Sequence, residues 1–229
     1  MLSFVRLTRE QINNETSFKN FDWSSYPDEI TTLDCAWLNL ETLEGCHKNV
    51  KNLICRSNCL KSLKGCPDSV ITLDCCNNEI KSLEHCPKNI QILNCSGNLL
   101  TSLDYCPNLV TDLNCSVNEI TSLEYCPNSV IKLNCSLNHL TSLHGCTKSL
   151  NSLKCCKNNL ISMEGISDSV VDLDISNNLL KDLKHCPKNL ITLKCFNNNF
   201  TNLNDKPATL ININCEDELL NQKPWCNMM

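Results

Sequence analysis

Apolar residues recur along this chain every 20 residues, without insertion or deletion, over ten copies. In one copy, apolar or small side chains occupy Val50, Leu53, Cys55, Leu60 and Leu63, and most positions between them are polar. Leu53 and Cys55 are separated by a single residue, which is the alternation of a short strand with one buried face. One copy is too small to bury that face alone, so the pattern predicts stacked copies whose strands form one parallel sheet.

An asparagine follows the strand cysteine by three residues in most copies. These residues are Asn58, Asn78, Asn98, Asn118, Asn138, Asn158, Asn178 and Asn198. We expect a structural role for this asparagine column, because a side-chain amide can both donate to and accept from backbone groups where the chain turns.

The half-repeat Val50-x-x-Leu53-x-Cys55-x-x-Asn58-x-Leu60 matches the leucine-rich-repeat signature. The chain therefore resembles the short leucine-rich repeats of enterobacterial effector proteins. Its Asn-, Cys- and Lys-rich composition is similar to that of leucine-rich-repeat proteins of mimivirus-like giant DNA viruses. The resemblance implies a solenoid with a concave parallel sheet, and a viral protein in the host cytoplasm. Effector relatives with ubiquitin-ligase activity carry it in a separate domain, so that activity is not transferred.

The nine residues that close each repeat contain a late proline in most copies, as at Pro67 and Pro87, and leave no room for a useful helix. We therefore predict an α/β-class repeat solenoid that is mostly β, with about ten rungs and a non-helical convex side. Residues 1–29 are expected to form an N-terminal cap, 30–215 the solenoid and 216–229 a C-terminal cap, all in one domain. Thr8-Arg9-Glu10-Gln11 fits a capping box that opens a short helix over roughly 8–19. At the other end, Glu218 replaces the repeated asparagine.

The chain has 20 cysteines and a net charge of −5. Most cysteines fall in two repeat columns, where a free thiol can serve as a compact core group, so we expect reduced and buried thiols. The chain lacks a secretory signal pattern and an apolar run of membrane-spanning length, which favours a cytoplasmic protein. The mild acidity argues against nucleic acid as the main partner. A zinc site is disfavoured because no C-x-x-C spacing occurs.

No constellation of catalytic residues is evident. The five histidines occupy variable repeat positions, and a glycine-rich phosphate loop is absent. We therefore predict no enzymatic activity, no cofactor and no metal.

Outward strand positions on the concave sheet are the candidate binding surface. The partner-binding candidates are Trp37, Ile54, Arg56, Asn94, Asn114, Asn134, Lys154, Lys194 and Phe196. Exposed aromatic and arginine side chains are common interface anchors. A second patch on the convex side includes Glu84, His85, Asp104, Tyr105, Glu124 and Tyr125.

The predicted function is a monomeric protein-interaction module with a protein partner, and neither nucleic acid nor membrane is an expected ligand. The alternative is a structural or particle-associated protein that self-assembles through the solenoid ends.

Overall fold

The computed structural model describes residues 3–27 and 30–215. Within them, eleven strands form one sheet in sequence order, and every neighbouring pair is parallel. The strands are β1 (Ser3–Arg6), β2 (Ile30–Asp34), β3 (Asn52–Ile54), β4 (Thr72–Asp74), β5 (Ile92–Asn94), β6 (Asp112–Asn114), β7 (Lys132–Asn134), β8 (Ser152–Lys154), β9 (Asp172–Asp174), β10 (Thr192–Lys194) and β11 (Asn212–Asn214). The predicted parallel-sheet solenoid is confirmed.

The register follows the 20-residue repeat from β2 onward. Leu53 pairs with Leu73, and Leu93 pairs with Leu113. The repeated strand leucine and cysteine point inward, and from Leu33 to Cys195 all of them are almost completely buried. The core is therefore a stack of aliphatic and thiol side chains, in which each repeat covers the apolar face of its neighbour.

The convex side consists of turns. In the repeat that contains β3, the Cys66 amide donates to the Leu63 carbonyl at 2.9 Å, and the Val70 amide donates to the Pro67 carbonyl at 3.1 Å. Gly65, which lies in the first of these turns, has a φ of +85°. A Cβ atom at this position would lie 2.4 Å from the backbone nitrogen of Glu44 in the preceding repeat. The convex loops therefore stack closely where glycine occupies this position. No α-helix occurs in the described ranges.

From Trp37 to Asn197, a left-handed residue lies two positions after the strand cysteine, or after Ile175 in its place, and turns the chain off the sheet. Its φ is 53° at Asn77, 56° at Leu137 and 57° at Val117. Asparagine and glycine tolerate this conformation, whereas a β-branched residue such as Val117 is strained in it.

The predicted helix over 8–19 is wrong. The capping-box hydrogen bonds form, because the Thr8 amide donates to Gln11 Oε1 at 2.8 Å and the Gln11 amide donates to Thr8 Oγ1 at 3.3 Å. Asn13 and Asn14 then adopt φ values of 53° and 57°, which end the helical hydrogen-bond pattern after one turn.

Aromatic rings cover the N-terminal end of the core instead. Phe18, which is fully buried, contacts Phe21 and Trp23, and the Trp23 indole donates to the Gly45 carbonyl at 3.0 Å. A short 3₁₀ helix, Trp23–Ser25, lies in this segment. The predicted C-terminal cap over 216–229, including Glu218, lies outside the described residues, as do residues 28 and 29 of the N-terminal half-repeat.

Candidate interaction surface

The outward side chains of the strands form columns on one surface, which we call the sheet face. In the repeat that contains β3, the sheet face consists of Asn52 and Ile54 on the strand and Arg56 after it. The strand β1 adds a rung that sequence reasoning missed, because Phe4 pairs with Thr32 and Arg6 with Asp34. Phe4 and Arg6 therefore extend the columns at the N-terminal end. The only feature of the sequence that could have indicated this strand is the alternation in Phe4-Val5-Arg6, which does not follow the 20-residue repeat.

The bulky candidates are exposed along this surface. Trp37 is 67% exposed, and its φ of 64° places it at the left-handed turn position beside the sheet face. Arg56 is exposed and lies 3.9 Å from the Asp74 carboxylate, whereas Ile54 is half-buried. Phe196 is 36% exposed. Lys154 and Lys194 are also exposed. These residues lie at separate points along the solenoid and do not form a single cluster.

The central candidates Asn94, Asn114 and Asn134 are half-buried. The Oδ1 atom of Asn114 accepts a hydrogen bond from the Ser116 amide at 3.2 Å and another from the Ser116 hydroxyl at 2.8 Å. Asn94 and Asn134 accept the corresponding amide hydrogen bonds at 3.3 Å and 3.2 Å. These side chains therefore form Asx turns that end the strand, a backbone role that the repeated Asn-Cys-Ser tripeptide signals.

The asparagine column connects neighbouring repeats. Asn78 Nδ2 donates to the Cys55 carbonyl of the preceding repeat at 3.1 Å and to the Cys75 carbonyl of its own repeat at 3.0 Å. Its Oδ1 accepts from the Leu60 amide at 3.0 Å. The same hydrogen-bond pattern recurs at Asn58, Asn98, Asn118, Asn138, Asn158, Asn178 and Asn198. The side-chain amides of the asparagine column are used in hydrogen bonds to the backbone, so they have little capacity left to bind a ligand.

Burial suppresses ionisation of the core thiols. It raises the pKa of Cys46 and Cys126 to about 12, and it raises the pKa of the fully buried Cys115 well above its usual value. Cys76 is half-buried, and burial together with the nearby Asp74 raises its pKa to about 11. No group of three or more His, Cys, Asp or Glu side chains in the described chain is arranged to hold a metal ion.

Seventeen described cysteines are free, and a disulfide joins Cys195 to Cys215. The expectation of reduced core thiols is therefore supported only in part: it agrees with the seventeen free cysteines and not with this pair. Neighbouring strands bring the two Cα atoms to 4.9 Å, which lies within the range that a disulfide spans. Sequence spacing alone gave no reason to single out this pair from the other stacked strand cysteines.

The convex patch contains a wide groove of about 1050 Å³, lined in part by Lys64, His85 and Tyr105. Tyr105 is 69% and Tyr125 is 55% exposed. The groove is open and mixed in polarity, and it lies apart from the sheet face. In the part of the chain that the structure describes, no helix is long and apolar enough to cross a membrane.

No protein-family model matches the sequence, and neither does any curated protein. Solved structures do match. YopM from Yersinia enterocolitica is 22% identical, with a TM-score of 0.65, over 83% of this chain and 52% of that chain. Internalin C2 from Listeria monocytogenes is 18% identical, with a TM-score of 0.64, over 74% of this chain and 82% of that chain. A Shigella effector leucine-rich-repeat domain is 21% identical, with a TM-score of 0.56, over 83% of this chain and 72% of that chain.

This chain thus spans about half the length of the YopM chain. At these identities the likeness concerns the fold, and it agrees with the repeat signature and with the sheet described above. These three structures are of bacterial proteins, one of them an effector leucine-rich-repeat domain, and this chain has the leucine-rich-repeat solenoid fold.

Proposed function

We propose that this protein is a non-enzymatic interaction module that presents its sheet face to a protein partner. The observation that carries the proposal is the continuous sheet of eleven parallel strands, which holds outward side chains in ordered columns. Neighbouring rungs of such a sheet are about 4.8 Å apart. Because the backbone of such a sheet is ordered before binding, association costs little backbone conformational entropy, which favours affinity.

The composition of the surface supports the same function. Arg56 and Phe196 interrupt a column of mostly small side chains, and Trp37 lies beside it. Tryptophan and arginine are enriched among the residues that dominate interface energies. Two of the solved neighbours, YopM from Yersinia pestis and a Shigella protein, are described as effectors. We extend that role to this chain as a proposal, with a monomeric state and a location in the cytoplasm, or in the host cytoplasm for a viral protein.

The test begins with affinity capture of a partner and measurement of its dissociation constant. We expect Arg56→Ala and Phe196→Ala to weaken binding by about 1–2 kcal/mol each, or more if they are hot spots. Their melting temperatures should stay close to that of the parent protein, because neither residue fills a core column. Tyr105→Ala and Tyr125→Ala remove exposed rings of the convex patch and serve as the matched contrast. Loss of binding in the convex pair alone would place the interface on the other side of the solenoid.

A further inference from the structure

The described sheet face carries as many acidic as basic side chains. The acidic residues are Asp34, Asp74, Asp112, Asp172 and Asp174. The basic residues are Arg6, Arg56, Lys132, Lys154 and Lys194. The formal charge of this surface is therefore zero, although the whole chain has a net charge of −5. The excess negative charge lies on the other surfaces and the terminal segments.

The two signs of charge lie at different depths. All five basic residues are exposed, whereas Asp34 is buried and the other four aspartates are half-buried. In the ion pair of Arg6 with Asp34, the side chains are 68% and 11% exposed. In the pair of Arg56 with Asp74 they are 50% and 23% exposed. A molecule that approaches the sheet face therefore meets cations first.

Side-chain length and backbone hydrogen bonding produce this layering. The acidic residues are all short aspartates, and no glutamate occurs on the described sheet face. The carboxylate of Asp174 accepts from the Ser176 amide at 3.1 Å, and that of Asp34 accepts from the Ala36 amide at 3.1 Å. These bonds hold the carboxylates near the backbone, while lysine and arginine extend beyond them.

Exposed aromatic rings accompany the cations at both ends. Phe4 is 61% exposed and lies two residues from Arg6 on β1. The Trp37 amide donates to the Arg56 carbonyl at 3.2 Å, so the ring and the guanidinium belong to adjacent rungs. Near the other end, the exposed Lys194 and Phe196 belong to one repeat and are separated by a single residue. The surface thus combines outward positive charge with apolar anchors.

We propose that the sheet face binds an acidic protein segment that also carries apolar side chains. This inference rests on the proposed function and specifies the chemistry of its partner. Carboxylates of the segment would pair with the outward lysines and arginines, and its apolar side chains would contact the rings beside them. Nucleic acid fits less well, because aspartates lie in register beside the lysines. Asp112 pairs with Lys132, and Asp174 lies between Lys154 and Lys194, whereas a dense phosphate chain requires a continuous basic path.

The experiment uses the full chain and three fluorescent probes. One is a peptide with four copies of Glu-Glu-Phe-Ser-Gly, the second replaces each glutamate by lysine, and the third is an oligothymidylate of similar length. We expect fluorescence anisotropy to show at least about tenfold tighter binding of the acidic peptide than of the other two, weakening as salt increases. Equal or tighter binding of the basic peptide or of the oligonucleotide would overturn the inference.

Charge-matched variants locate the site. Lys154→Glu with Lys194→Glu should weaken binding of the acidic peptide by about tenfold or more. Lys61→Glu with Lys81→Glu changes the net charge equally at exposed positions outside the sheet face and should leave binding within about twofold of the parent, since exposed distant charges are screened. Equal losses in both pairs would refute the site. If these probes fail while Phe196→Ala still weakens the captured partner, the inference is wrong and the proposed function stands.

Discussion

Asn118 Nδ2 donates a hydrogen bond to the carbonyl of Cys95, 23 residues earlier, at 3.1 Å. The same nitrogen donates to the Cys115 carbonyl at 3.1 Å, and Oδ1 accepts from the Leu100 amide at 2.9 Å. A single buried amide therefore joins two repeats at the turn that follows the strand. Repetition of this arrangement along the solenoid makes the asparagine column a continuous hydrogen-bonded seam.

Removal of one amide from this seam should destabilise the fold. We expect Asn118→Ala to lower the free energy of unfolding by about 1–3 kcal/mol, because it leaves buried backbone groups unpaired. Asn118→Asp should also destabilise, since a carboxylate cannot donate to the two carbonyls. Urea denaturation measures both effects. Asn108→Ala, at an exposed position of the convex side, should stay within about 0.5 kcal/mol of the parent. Equal midpoints for Asn118→Ala and Asn108→Ala would show that the seam contributes nothing.

Thiol accessibility tests the packing of the cysteine columns. In the native protein at about pH 8, a thiol reagent should react mainly with the half-buried Cys59 and Cys156, which lie outside both columns. Column thiols that are half-buried, such as Cys46 and Cys186, should react slowly because burial raises their pKa to about 12. Cys76 is half-buried too, but it should react more slowly because its pKa is raised to about 11. Denaturation without reductant should release every remaining thiol except those of Cys195 and Cys215. Rapid native labelling of Cys115 would contradict the buried column.

High pH should unfold the protein through its thiols. The pKa of Cys46 and Cys126 is raised from the usual 9.0 to about 12, so the native chain retains protons that the unfolded chain releases. The stability that these protonated thiols contribute is therefore fully present below pH 9.0 and is lost as the pH rises towards about 12. Each such thiol contributes a loss of about 1.4 kcal/mol per pH unit in that range.

Urea midpoints at increasing pH measure this slope. A triple variant, Cys95→Val, Cys115→Val and Cys135→Val, supplies the control, because it removes three buried thiols and leaves the lysines and tyrosines unchanged. Its stability should fall less steeply above pH 9 than that of the parent. Identical slopes in the two proteins would assign the alkaline transition to other groups.

Relief of backbone strain should stabilise the solenoid. Val117 has a φ of 57° and is 50% exposed, so it contributes little packing to offset its strained conformation. Asn77 occupies the same repeat position with a φ of 53°. We expect Val117→Asn to raise the free energy of unfolding by about 1 kcal/mol. Ile131→Asn is the control, because Ile131 is similarly exposed (44%) but is not among the residues with positive φ. A comparable gain in both variants would exclude strain relief as the cause.

The repeat in the sequence was enough to predict the solenoid, the inward columns and the outward positions. Each repeat contacts mainly its neighbours, so a pattern that recurs every 20 residues specifies the same local environment each time. Leu53 and Cys55 must point inward wherever the strand forms, and Ile54 must point outward. The partner surface was predicted in the same way, from strand alternation, and its individual binding roles stay predictions.

Only the tertiary structure revealed the features that do not follow the 20-residue repeat. The pairing of β1 with β2 joins Val5 to Leu33 outside the 20-residue phase, and it places Phe4 and Arg6 on the sheet face. The capping box at Thr8 was correctly placed, but the two left-handed asparagines that follow end the turn before a helix forms. The depth of Asp174 relative to Lys194 depends partly on side-chain length, which the residue types specify, and partly on the hydrogen bond from the Ser176 amide, which the structure shows. Periodic features depend on local contacts that the sequence encodes repeatedly, whereas the N-terminal cap, the Cys195–Cys215 pair and charge depth each depend on a single set of three-dimensional neighbours.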